Sequence, residues 1–352
     1  MRPLTDVDLL RELEPTVAAN LNRHLDMAQE WLPHEWVPWS RGRDFTGDDG
    51  LAWAPEQSHV PEAVRAAFEV NLLTEDNLPF YHHELASRFG STGAWGAWIN
   101  RWTAEEARHA MSIRDYLVLS RAVDPVALER DRMASMQAGW AALQKDEEAG
   151  KVGRAGRAGR AGGVGEAGTA GPSTGSGQAR GKDACRSLVY VAFQELATRV
   201  AHRNTGRLAN DPVADRLLTR IATDENLHMV FYRDLIAAAL ELAPDQTLGA
   251  IAAEVAVFQM PGTGVPGFRR KSAQIADAGI YDLRLHRDEV VAPLVRHWQA
   301  LDLRATTDAG QRAQETLARQ LDDLERMARR YEERRAQRRQ AAAPSAKSPS
   351  AT

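Results

Sequence analysis

The chain is 352 residues long, 43% hydrophobic, with a net charge of −4, which allows a large buried core and gives no global attraction for nucleic acid. A single cysteine, Cys185, excludes a disulfide framework and any CxxC metal or redox site, so a reducing, cytoplasmic setting is expected. Met1 to Leu13 has no basic-then-apolar start, and no apolar run reaches about eighteen residues, so neither a signal peptide nor a membrane span is expected.

Helical periodicity dominates from end to end, and no run alternates as a strand would. Asp6 to Trp31 reads as an amphipathic helix, and the aromatic segment Trp31 to Trp39 follows, its prolines stopping the helix. Pro61 to about Gly90 makes the next helix, with Pro79 as a kink. After the break at Ser91-Thr92-Gly93, helices run from Ala94 to about Ala122 and from Pro125 to about Glu148. Between Ala149 and Lys182 twelve of 34 residues are glycine, and Gly-Arg-Ala is spelled three times from Gly153; three triplets without proline cannot sustain a collagen-like rod, so a flexible insertion is expected. Helices resume at Asp183 to about Ala209 and Pro212 to about Leu242, then Leu248 to Met260 and Ser272 to Gly279 around a loop from Pro261 to Pro266. Leu317, Leu321, Leu324, Ala328 and Tyr331 form a last packing stripe, able to lie on the bundle or on a second subunit. The expected organisation is a first bundle half at 1–148, the insertion at 149–182, a second half at 183–333 and a disordered tail at 334–352.

One constellation occurs twice. Glu75 is followed 31 residues later by Glu106-Ala107-Arg108-His109, and Glu195 is followed 30 residues later by Glu225-Asn226-Leu227-His228. The i, i+3 spacing puts each Glu and His on one helical face, and the interval is about what two helices and a turn consume. Four carboxylates and two imidazoles can therefore converge between four helices, the donor list of ferritin-like di-iron carboxylate proteins. A third match, Glu56 to His59, lies between Pro55 and Pro61 with no helix to present it, and is the chance occurrence a chain of this composition should contain. Both repeated pairs are preceded by an acid, Glu105 and Asp224, suited to accept the outer N–H of a ligating imidazole. Carboxylates with one imidazole per metal suit iron or manganese, whereas structural zinc wants thiolates or more histidines.

The segments Thr74 to Pro79, Trp102 to His109, Phe193 to Thr198 and Asp224 to His228 resemble, in order, the metal-site segments of the soluble acyl-acyl-carrier-protein desaturases. With His202-Arg203-Asn204-Thr205 they look most like the actinobacterial branch. The resemblance implies an all-α, ferritin-like di-iron four-helix bundle with additional helices. It also implies two iron ions per subunit: Glu75, Glu106 and His109 on one, Glu195, Glu225 and His228 on the other, Glu106 and Glu225 bridging. Thr198 would be the hydroxyl near the oxygen site, although the residues alone equally allow it to bond back to a carbonyl one turn earlier; Asp224 would bond His109, and Trp31 would lie on an electron route or, as an aromatic flanked by prolines, serve as a packing anchor. The implied reaction uses O2 and two electrons from ferredoxin to convert an acyl chain on acyl carrier protein to a cis-alkene, in a homodimer. His82, His83, Glu84 and Arg88 are more polar than a lipid channel wall should be. Arg41 with Arg43, and Arg269-Arg270-Lys271, are the basic clusters able to meet an acidic carrier. A radical subunit would want a tyrosine where Ile113 stands, and a rubrerythrin-type peroxidase would want a four-cysteine iron site, which Cys185 alone cannot supply. An iron-storage cage and an inactive scaffold are the other readings.

Overall fold

A computed structural model describes residues 3–138 and 183–342, and among these every regular element is helical. In chain order they are α1 (Asp6–Met27), the short α2 (Pro33–Trp36), α3 (Glu62–Glu75), α4 (Leu78–Phe89), α5 (Gly93–Leu119), α6 (125–138), α7 (Ala184–Leu208), α8 (Pro212–Leu242), α9 (Pro244–Val257) and α10 (Phe268–Ala278). A broken helix, α11, runs through Leu283–Leu285, a π-helical turn at His286–Val291 and Ala292–His297; α12 (Asp308–Ala342) is the longest.

Helices α3, α5, α8 and α7 pack in a closed ring, each against the next, with α7 and α8 in contact along most of their length. Two apolar clusters fill this ring. One contains Trp98, Val189, Phe193 and Phe231; the other contains Phe68, Ile113, Leu217 and Ile221. On α5 and α8 the change from one cluster to the other falls between residues 102 and 110 and between residues 221 and 229. The Glu-x-x-His pairs occupy those gaps, so the polar residues form a layer between two dry compartments.

The ends of these helices follow from their sequences. Asp183 and Asp211 accept the backbone N–H of Arg186 and Val213 at 2.8 Å, and Pro212 opens α8 where a missing N–H has no cost. The expected single helix from Pro61 to Gly90 is instead two, interrupted at Asp76 and Asn77. Pro79 has no N–H to donate to Glu75, four residues earlier, and its ring crowds that carbonyl, so α3 ends on Glu75. Beyond the expected limit at 333, α12 stays helical to Ala342, its arginines anchored on α10 and α11: Arg335 to Asp282 at 3.2 Å and Arg338 to Asp277 at 3.0 Å. The glycine-rich insertion at 149–182 and the end of the tail, 343–352, lie outside the described residues.

Helix α1 crosses α5 and α8, burying Leu9, Leu13, Val17, Asn20 and His24 on one face. It also caps its neighbour, since Glu14 Oε1 accepts the N–H of Ala94 at 2.6 Å in the first turn of α5, where no side chain of the chain's own cap position does so. Glu14→Ala should therefore lower stability by about 1 kcal/mol, and Glu14→Gln by less, in denaturant midpoints measured at unchanged slope.

Candidate metal centre

Glu75 closes α3, Glu106 and His109 lie mid-way along α5, Glu195 on α7, and Glu225 and His228 on α8; all six residues are at most 7% exposed. Their donor atoms fall into two groups. One is Glu75, Glu106, His109 and Glu225, the other Glu106, Glu195, Glu225 and His228, with the atoms of each within 4.8 Å of one another. Glu106 and Glu225 belong to both. Each turns one oxygen to each imidazole: Glu106 Oε2 is 3.5 Å from His109 Nδ1 and its Oε1 2.9 Å from His228 Nδ1, while Glu225 Oε1 is 3.4 Å from His109 Nδ1 and its Oε2 3.8 Å from His228 Nδ1.

Outward-facing atoms are tied down and inward-facing ones are not. His109 Nε2 lies 3.3 Å from Asp224 Oδ2, and His228 Nε2 lies 2.8 Å from Glu105 Oε2. The pairing is crosswise, because the acid that precedes Glu225 on α8 serves the histidine of α5, and the reverse. Trp102 Nε1 donates to Glu195 Oε1 at 3.1 Å, and His202 Nε2 lies 3.2 Å from Glu75 Oε1. By contrast, Nδ1 of both His109 and His228, and Oε1 of Glu106, Oε2 of Glu195 and Oε1 of Glu225, are buried without a hydrogen-bond partner. A buried polar atom left unpaired is costly, and a cluster of them converging from four helices fits cations coordinated at the centre.

Electrostatics give the same answer. Burial, and then the charges of Glu106 and Glu225, push the Glu75 carboxyl well above its ordinary range; burial does the same to Glu195 against the pull of the nearby His228, with the charges of Glu225 and Glu106 adding to it. Burial disfavours charge on His109 and His228 as well, yet the bonds to Asp224 and Glu105 and the carboxylates close to each Nδ1 raise both well above the usual imidazole value. Without metal the centre therefore holds protons where positive charge is needed. Asp224, despite burial, is held at about 2 by His109, the Trp31 N–H and Arg220.

Of the other expected residues, Thr198 stands one turn beyond Glu195 with its hydroxyl donated back to the Gln194 carbonyl at 3.0 Å, on the wall of a cavity of about 100 Å³ that Glu75 also lines. Met260, Phe268, Ser272 and Tyr281 line both this cavity and a larger one of about 500 Å³, which reaches Asp277, Tyr331 and Arg338. Trp31 is 4% exposed and donates Nε1 to Asp224 Oδ2 at 2.7 Å, stacked on His109 with ring centroids 6.4 Å apart. Glu84 on α4 is buried, His82 and Arg88 are half-buried, and only His83 is exposed, so the polar residues of α4 are not simply a solvated face. Lys271 is buried between Glu69 at 2.9 Å and Asp131 at 3.4 Å, which removes it from the expected basic cluster and leaves exposed Arg269 and Arg270. His59, the chance match, bonds Asp211 at 3.3 Å near the start of α8. Sequence reading passed over His24, Trp102 and His202 as site residues; Trp102 and His202 carry a findable signal, since each sits four or seven residues from a ligand and so on the ligand face of its helix.

The family model for fatty acid desaturases matches residues 5–153 and 167–347. The chain is 43% identical over 329 residues, 94% of it and 89% of the relative, to a Mycobacterium tuberculosis protein provisionally named acyl-(acyl-carrier-protein) desaturase DesA1. It is 26% identical over 360 residues, 97% of it and 80% of the relative, to the chloroplastic stearoyl-(acyl-carrier-protein) 9-desaturase of Gossypium hirsutum. An X-ray structure of DesA2 from Mycobacterium tuberculosis superposes with a TM-score of 0.63 at 30% identity, covering 87% of this chain and 98% of that one.

The raised groups fix a pH dependence. A group that binds its proton more tightly folded than unfolded stabilises fully below its unfolded pKa, and that stability is lost as pH rises through the folded value; His109, His228, Glu75 and Glu195 are all of this kind. The lowered carboxyls, Glu105, Glu106 and Asp224, matter only in acid. The metal-free protein should thus melt at falling temperature from about pH 6 to pH 9, and added ferrous ion should remove that slope. A flat profile without metal would contradict the reading of the centre as a proton-filled cation site.

Proposed function

This chain belongs to the fatty acid desaturase family, of the di-iron acyl-(acyl-carrier-protein) desaturase type, and we propose that it desaturates an acyl chain carried on acyl carrier protein, with Glu75, Glu106, His109, Glu195, Glu225 and His228 as the residues that would hold two iron ions. The observation that carries this reading is the pair of donor groups sharing Glu106 and Glu225, their inward atoms unpaired. Those two carboxylates, common to both groups, would be shared between the ions. Glu75 with His109, and Glu195 with His228, would complete the two sets. Oxygen donors with one imidazole per ion suit iron or manganese.

The reaction consumes O2, two electrons and two protons, removes two hydrogens from adjacent saturated carbons and yields a cis-alkene and two waters. When bound, the iron pair supplies the oxidising power that no side chain has; the protein supplies position, dryness and protons. The cavity beside Glu75 and Thr198 is the proposed seat of the reacting carbons, and the larger one, walled by Phe258, Met260 and Phe268, the proposed approach for the chain. Thr198 would turn its hydroxyl from the Gln194 carbonyl into the cavity to deliver a proton. Asp224 would keep His109 in the tautomer that offers Nδ1 to the metal. Ferredoxin is the proposed electron donor, a homodimer the proposed assembly and the cytoplasm the proposed location; among the described residues no helix is long and apolar enough to cross a membrane.

The carrier would dock where the larger cavity opens. Arg269 and Arg270 begin α10, one of its walls, and Arg338 of α12 lies across it. Arg41 and Arg43 line neither cavity.

Single turnover decides the reaction. Diferrous protein mixed with O2 should form alkene, read by mass spectrometry, only when acylated carrier is present; oxidation without product would mean storage or scaffold. Thr198→Val should lower product formation by about 10²-fold with two metals still bound, and Thr198→Ser should retain most of it. Reversing Arg269 and Arg270 to Glu should raise KM for the carrier and flatten its salt dependence at little change in kcat, whereas reversing Arg41 and Arg43 should do neither.

A further inference from the structure

His24, in the last turn of α1, is 3% exposed and plays no part in the proposed reaction. Its Nε2 lies 2.9 Å from Glu105 Oε2, the oxygen that sits 2.8 Å from His228 Nε2. The two rings stack with centroids 5.8 Å apart and planes at 25°, and Trp98 lies roughly perpendicular to both, its ring centroid 5.1 Å from that of His24 and 6.0 Å from that of His228. Glu105's other oxygen accepts from Arg101 Nε at 2.7 Å.

Two imidazoles and a carboxylate could in principle clasp a cation. Arg101, however, already brings a positive charge to the same carboxylate, and His24 and His228 each approach one of its oxygens through Nε2. The distances are those of hydrogen bonds to a charged acceptor, so protons lie between these atoms.

The same construction stands behind His109. There the carboxylate is Asp224, and the donor that fixes it is the indole of Trp31, shortly after α1. Each ligating imidazole thus rests on a carboxylate from the opposite helix, and each carboxylate is held by an aromatic N–H from the segment that crosses α5 and α8. His24 occupies, for His228, the place that Trp31 occupies for His109. Its Nδ1 is buried without a partner, while its Nε2 meets a carboxylate oxygen, which can only accept; the proton therefore sits on Nε2, toward Glu105.

We infer that His24 is a positioning residue for one metal of the pair, the ion held by Glu195 and His228. By donating Nε2–H to Glu105 it fixes the carboxylate that orients His228, and it leaves the ion held by Glu75 and His109 untouched. The inference rests on the two-metal reading of the centre.

The test is equilibrium titration of the metal-free full-length protein with Co²⁺, followed by ligand-field absorption, with Glu75→Ala and Glu195→Ala identifying the two binding steps. Wild type should take up two equivalents. His24→Leu should weaken by about tenfold the step that Glu195→Ala abolishes and leave the other step unchanged. His24→Gln, which keeps a donor of similar reach, should recover most of that loss, as a packing role would not. Should His24→Leu fail to fold, judged by melting of the metal-free protein, His24→Asn, too short to reach Glu105, replaces it in the comparison. Two equivalents in wild type with an unchanged His24→Leu, an equal loss at both steps, or an equal loss in Leu and Gln variants overturns the role of His24 alone. Fewer than two equivalents in wild type overturns the two-metal reading, and this inference with it.

Discussion

Four carboxylates packed into one dry layer cannot all be ionised without positive charge among them. The ring of α3, α5, α7 and α8 puts Glu75, Glu106, Glu195 and Glu225 there, each at most 7% exposed, between two apolar clusters that admit no counter-charge. Burying an isolated carboxylate costs far more than a folded chain of this size can offset, so the layer must be filled by protons or by metal. The rest of the site follows from that demand. Outward atoms are satisfied by Trp102, His202, Glu105 and Asp224, and inward atoms are left for a cation.

The sequence makes the helices and the six residues legible because both are local patterns. A Glu and a His three apart must share a helical face, and the interval between repeats is a hairpin of helices, so convergence can be read before any packing is known. What surrounds the six is not local. Nothing in Glu105-Glu106 says that Glu105 will serve the histidine of another helix, and His24 lies 81 residues from the carboxylate it holds. Lys271 follows two exposed arginines and reads as one of them, yet it turns inward to Glu69 and Asp131, because α10 packs on α3 and Lys271 faces the seam. Pro79 marks the break after Glu75 in the sequence; whether it bends one helix or separates two depends on the turn at Asp76, which Arg114 of α5 holds by an ion pair. The helices at Pro244 and from Leu283 onward are obscured by proline and by a π-helical turn that spoils the 3.6-residue period.

Polarity on α4 has a different consequence. Glu84 is buried, and His82 Nδ1 bonds Thr103 Oγ1 at 2.8 Å, so α4 is joined to α5 by polar contacts as well as by apolar packing. The two cavities described lie elsewhere, along α10 and the Pro261 loop. An acyl chain entering by the proposed approach would meet Glu75 and Thr198.

The two kinds of ligand-bearing helix therefore face different surroundings. Helices α5 and α8, which carry the Glu-x-x-His pairs, are covered by α1 and the segment after it, and on that side each imidazole is locked by a carboxylate that several donors hold in turn: Trp31, Arg108 and Arg220 at Asp224, His24 and Arg101 at Glu105. Helices α3 and α7 carry the lone glutamates, each held by a single outer donor, and it is their side that opens into the cavities. Rigid support thus lies behind the histidines, and free volume beside Glu75. A carboxylate with one outer bond next to open space can move at lower cost than one fixed in a network, because fewer buried partners are left unsatisfied when it shifts. On the proposed reading, the histidine face would hold the centre in register and the α3–α7 face would admit whatever reacts there.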